Sequence, residues 1–89
     1  MKELLYFGAK WCGPCRQFGP VFEQAESSFP NVEFTKIDID EDQAAAMKYG
    51  ITSVPTIIMV ENDVEIWREL GAMSEDKFTQ AVQASIQES

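Results

Sequence analysis

The sequence has no histidine, and its 89 residues include only two cysteines, four prolines, five glycines and seven lysines and arginines. Each shortage excludes something. Zinc takes four ligands, and two cysteines without a histidine do not supply them in a monomer, so no metal is expected. Seven scattered cations against fifteen Asp and Glu leave a net charge of −8. That balance speaks against nucleic acid and against an anionic membrane surface, and is read as an aid to solubility. No segment approaches the roughly 18 apolar residues of a membrane span. The opening Met1-Lys2-Glu3-Leu4-Leu5-Tyr6-Phe7 carries no features of a signal peptide. A soluble, cytoplasmic protein is the expectation. In a reducing cytosol a structural disulfide across so short a loop is of little use, so the two cysteines are read as redox chemistry.

What is present is enough for one compact domain over residues 1–89, with an apolar share of 45%. Glu3 to Gly8 is a short apolar run that reads as a buried strand of a parallel sheet. Phe18, Val21, Phe22, Ala25 and Phe29 then recur at helical spacing, predicting a helix from Gly13 to Ser28 with Pro20 inside it and a kink there. Val32 to Ile39 is a second strand whose two-sided apolar content suits a covered position. Asp40 is expected to cap a short helix, with Gln43 as its capping-box partner and Gly50 as a left-handed stop. Val54 to Val60 is a third strand, Asn62-Asp63 a hairpin turn and Val64 to Leu70 its antiparallel partner. Val64, Ile66, Arg68 and Leu70 are expected on one face of that strand, and Trp67 is read as packing on the sheet. Ser74 caps a last helix, with Met73 and Phe78 as a hydrophobic staple and Phe78, Val82 and Ile86 as its buried stripe. The order β-α-β-α-β-β-α predicts an α/β fold: a four-stranded mixed sheet in the order 2-1-3-4, with helices on both faces.

Trp11-Cys12-Gly13-Pro14-Cys15 lies where the first strand hands over to the first helix. A helix N-terminus offers unpaired amide donors and about half a positive charge, which stabilise a thiolate and draw its pKa down from about 8.5 toward neutrality. The spacing is expected to leave Cys12 exposed at the helix start and to turn Cys15 inward. Cys12 then attacks a substrate disulfide, and Cys15 resolves the mixed disulfide. Pro14 fits early in the helix, where its missing N–H is no loss.

The pentapeptide resembles the active-site signature of thioredoxins. The likeness extends to Pro20, Lys36-Ile37-Asp38-Ile39-Asp40, Tyr49-Gly50-Ile51, Val54-Pro55-Thr56 and Gly71-Ala72. It implies a reductant of protein disulfides that needs no cofactor beyond the Cys12–Cys15 dithiol, draws electrons from a thioredoxin reductase and works as a monomer. It also implies that Pro55 is cis, although a trans proline opening a strand is what the residues alone favour. Trp11, Gly13, Pro14, Val54, Pro55, Gly71 and Ala72 become the substrate-docking surface. Gly-Pro between the cysteines is the reducing type, whereas glutaredoxins typically carry Pro-Tyr and disulfide isomerases Gly-His. A glutaredoxin-like, glutathione-dependent reductase and a non-catalytic thioredoxin-like binding subunit are the alternatives.

The sequence departs from the family in three places. Only eleven residues precede Cys12, which predicts a minimal thioredoxin fold lacking the usual N-terminal β-α unit. The family's buried aspartate six positions before the first cysteine is Tyr6, a phenol that is a poor base at neutral pH. Its partner lysine is kept as Lys36, with Asp38 as a candidate neighbour and with water or Lys36 left to deprotonate Cys15. The family's next tryptophan in that strand is Gly8, which should open space beside Cys15 or admit another group there.

Overall fold

The computed structural model describes residues 1–87. Strand β1 (Lys2–Gly8) leads into helix α1 (Gly13–Ala25) and a 3-10 turn (Glu26–Ser28), followed by β2 (Val32–Asp38) and α2 (Gln43–Lys48). Strands β3 (Thr56–Glu61) and β4 (Val64–Leu70) and helix α3 (Glu75–Gln87) complete the chain. The sheet order is β2-β1-β3-β4, with β1 parallel to β2 and antiparallel to β3. This is the expected α/β topology.

Alternation along the two central strands builds two cores. Leu4 and Tyr6 of β1 and Ile57 and Met59 of β3 join Phe18 and Phe22 of α1 and Phe78 and Val82 of α3 in one cluster. Leu5, Phe7, Ile58 and Val60 point to the opposite face, against Ala45 of α2 and Tyr49 just after it. The helices therefore cover both faces, and a strand buried on both sides reads as the continuous apolar run seen at Leu4 to Phe7. Most aromatic rings of the larger cluster meet edge-on or tilted, with Tyr6 to Phe18 at 5.2 Å and Phe18 to Phe78 at 5.0 Å between centroids, while Phe29 stacks on Phe34 at 6.5 Å.

Several local expectations are corrected. Helix α1 runs on through Pro20 but ends at Ala25, its last turn tightening to the 3-10 form. Strand β2 is an edge strand and only half-buried, because β1 is its only partner among the described residues. The cap of α2 is Asp42, whose carboxylate accepts from the Ala45 amide at 3.0 Å, so Gln43 is the first helical residue and no capping box forms around Asp40. Strand β3 starts at Thr56, two residues later than expected, because Val54 and Pro55 belong to the preceding loop.

In β4 the simple alternation fails. Met59 pairs with Trp67 and Val60 with Glu65, so Ile66 is an extra residue in a β-bulge. Ile66 and Trp67 then both pack on the larger core. Glu65 and Arg68 come within 2.8 Å, although three residues apart on a regular strand they would face opposite ways.

Other local signals hold. Asn62 and Asp63 both take positive φ, 52° and 68°, which gives the two-residue hairpin turn. Gly50 has φ 61° just past α2, and the Ser74 hydroxyl accepts from the Lys77 amide at 3.2 Å at the start of α3. Met73 and Phe78 are both buried beside it.

Candidate redox site

Cys12 is the N-cap residue of α1, with extended backbone at φ −88° and ψ 114°. Its sulfur takes the place that a Ser or Asp oxygen fills in most caps, and accepts the Cys15 amide at 3.2 Å. Gly13 and Pro14 form the exposed first turn, and Cys15 closes a disulfide to Cys12 with the Cα atoms 5.2 Å apart. Both cysteines are 5% exposed. That corrects the expectation of an exposed Cys12. In the disulfide its sulfur turns toward Cys15 and lies 3.8 Å from the Val54 carbonyl oxygen, under the loop before β3.

That loop contains the Val54–Pro55 peptide bond, which is cis. The Pro55 carbonyl accepts the Gly71 amide at 2.8 Å, and Gly71 has φ 92°, so the loop before β3 and the end of β4 are tied together beside the cysteines. Val54, Pro55 and Gly71 are thereby gathered on the Cys12 side, and Ala72 follows as an exposed residue. Trp11 is 64% exposed, and its indole nitrogen donates to Asp40 at 2.8 Å. Asp40 was missed as a site residue because its sequence position suggests a cap. Only the fold brings it to Trp11.

Behind Cys15 the arrangement differs from the expectation. The Tyr6 hydroxyl donates to the Cys15 carbonyl at 2.7 Å. Burial holds this phenol above its ordinary value near 10, and the Glu23 carboxylate adds to the shift. Tyr6 is therefore a donor here and not a base. Its ring also occupies the room beside Gly8, where an added Cβ would meet the ring carbon Cε1 at 3.2 Å. Space nevertheless remains: a pocket of about 570 Å³ runs past Tyr6, Gly8, Cys15, Gly19, Glu23 and Lys36. Lys36 is paired with Glu23 of α1 and not with Asp38, whose Oδ1 instead accepts the Asp40 and Glu41 amides at 2.8 and 3.3 Å. Glu23 is the second residue that sequence reasoning missed. It lies on the polar side of α1, and nothing local marks it as the partner of a residue on β2. Among the described residues no cluster of potential metal ligands is present, and no helix is long and apolar enough to cross a membrane.

Comparison with known proteins agrees with this geometry. The family model for thioredoxin matches residues 1–84. A Streptomyces coelicolor relative is 39% identical over 79 residues, which make up 89% of this chain and 59% of that protein. A thioredoxin of Mycoplasma pneumoniae is 42% identical over 81 residues, covering 91% of this chain and 79% of that one. The X-ray structure of Fasciola hepatica thioredoxin superposes with a TM-score of 0.87 at 36% identity, over 94% of this chain and 80% of that one. With a Cys-X-X-Cys disulfide at the N-terminus of α1 and the cis Val54–Pro55 loop against it, the chain belongs to the thioredoxin family of thiol–disulfide oxidoreductases.

Proposed function

We propose that this protein reduces disulfides in other proteins, and that residues 1–89 act as a single domain in doing so. The observation that carries the reading is the Cys15 amide, 3.2 Å from the Cys12 sulfur at the start of α1. That donor and the helix dipole stabilise negative charge on the Cys12 sulfur once the disulfide is reduced, which favours its attack. The Cys12 thiolate attacks one sulfur of a substrate disulfide, forming a mixed disulfide and expelling the other substrate sulfur as a thiolate. Cys15, deprotonated in turn, attacks the Cys12 sulfur. The Cys12–Cys15 bond forms, the mixed disulfide breaks and the second substrate thiol leaves. The substrate disulfide gains two electrons and the protein dithiol loses them.

Docking is assigned to Trp11, Gly13, Pro14, Val54, Pro55, Gly71 and Ala72. An extended substrate segment pairs with the Val54 backbone while the exposed Trp11 ring covers its apolar side chains. A thioredoxin reductase regenerates the dithiol, no cofactor or metal takes part, and the protein works in the cytoplasm as a monomer that binds neither nucleic acid nor membrane.

The test is turnover of insulin disulfides with dithiothreitol as electron source, comparing the protein with Cys12→Ser. Rapid reduction that the substitution abolishes is the expected result. A folded protein that accelerates nothing would overturn the reading in favour of a binding subunit, and turnover that requires glutathione would move it to a glutaredoxin-like reductase.

A further inference from the structure

Strand β4 reaches the loop before β3 at both of its ends. At the exit, the Gly71 amide donates to the Pro55 carbonyl at 2.8 Å. At the entry, Arg68 donates through Nη2 to the carbonyl of Tyr49, the C-cap residue of α2. Gly50 to Val54 lie between these two anchors, and the Val54 carbonyl is the one beside the Cys12 sulfur. Resting on the functional reading above, we propose that Arg68 is a positioning residue for substrate docking. Aimed by Glu65, it fixes the entry of the loop, so that the Val54 backbone is presented to substrate in a set position.

The bulge at Ile66 is what makes this contact possible. Arg68 pairs with Ile58 and Glu65 with Val60, and both of those β3 residues face the smaller core. Cross-strand partners share a face, so the extra residue brings Glu65 and Arg68 together on the side that α2 covers. There the carboxylate accepts from Nε and from Nη2, each at 2.8 Å. This fork fixes the plane of the guanidinium, and Nη2 spends its second hydrogen on Tyr49. A partly exposed ion pair contributes little stability by itself. Its effect here is to aim a donor.

The target is the peptide group at which the chain leaves α2. Its N–H, on Gly50, donates back to the Met47 carbonyl at 3.1 Å, and its C=O, on Tyr49, accepts from Arg68. Gly50 then turns the chain with φ 61°, so any tilt of that peptide group is carried into the loop. Ile51 and Val54 pack on the two cores, and the Thr56 hydroxyl donates to the Ser53 carbonyl at 2.8 Å. Those contacts hold the body of the loop, and Arg68 sets the direction from which it starts.

Arg68→Met keeps an unbranched side chain and removes the guanidinium. With the variant shown to be folded by circular dichroism, KM for insulin should rise about fivefold, the worth of one hydrogen bond, with kcat within about twofold. The first thionitrobenzoate release from 5,5′-dithiobis(2-nitrobenzoate), a small disulfide that needs no docking, should keep its rate. Arg68→Lys, which retains a cationic donor, should recover much of the lost KM. Glu65→Ala should raise KM alone but add nothing to Arg68→Met, because Glu65 acts through Arg68. Amide hydrogen exchange reads the loop itself: in Arg68→Met, Gly50 and Ile51 should exchange faster relative to the amides of β1. An unchanged KM, a further rise in the double variant, or exchange accelerated equally in β1 would overturn the proposal. Should wild type reduce no insulin, the functional reading fails separately, and the exchange comparison still decides whether Arg68 holds the loop.

Discussion

Tyr6 and Cys15 are joined by a 2.7 Å hydrogen bond from phenol to backbone carbonyl, running from the middle of β1 to the first turn of α1. It ties the turn that carries both sulfurs to a buried strand. Tyr6→Phe removes the bond and keeps the ring among Phe18 and Phe22. The variant should lose about 1 kcal/mol, measured as a lower urea midpoint with an unchanged slope.

The same residue makes stability depend on pH at the alkaline end. Burial, with a contribution from Glu23, raises the folded pKa of Tyr6 above the unfolded value near 10. A group raised on folding contributes its full stability below the unfolded pKa and loses it as pH climbs through the folded one. The gap between wild type and Tyr6→Phe should therefore hold constant from pH 7 to 9 and shrink above about pH 10. Equilibrium unfolding at a series of pH values reads this directly.

Gly8→Ala should destabilise the protein by about 1–2 kcal/mol. The new Cβ would sit 3.2 Å from Tyr6 Cε1 and 3.3 Å from its hydroxyl oxygen, and a ring wedged against Phe18 and Phe22 has little room to yield. A double variant with Tyr6→Leu, lacking the ring that collides, should show a smaller penalty for the same methyl group.

Asp40→Ala frees the Trp11 indole, which now donates to that carboxylate at 2.8 Å. Loss of an exposed bond of about 1 kcal/mol should raise KM for insulin a few-fold by leaving the ring to wander. Reaction with a small aromatic disulfide, which needs no docking surface, should be unaffected.

How far the sequence reaches depends on how local each cause is. The two-faced apolar run Leu4 to Phe7, the staple of Met73 and Phe78 and the Asn62-Asp63 turn are set by neighbouring residues, and all are legible. So is the redox pair, because a Cys-X-X-Cys between a strand and a helix has few other uses. Sequence position suggests Asp40 as the cap of α2, but Asp42 takes that place through the Ala45 amide, and Asp40 instead accepts from Trp11, which lies far away in sequence. The bulge at Ile66 depends on how β4 matches β3 and leaves no mark in composition. Burial of Cys12 depends on the loop at Val54, and the Glu23–Lys36 pair on where α1 passes over β2. These are properties of packing between distant segments, which periodicity does not contain.

The edge position of β2 has a consequence for behaviour at high concentration. An open row of backbone amides and carbonyls is a template on which strands from other molecules can add, the first step toward fibrils. Here the outermost strand displays Glu33 and Lys36 as exposed residues. A second copy laid against it would have to strip water from those charges and approach a molecule of net charge −8. The side chains that make β2 a poor central strand are the ones that keep the molecules apart.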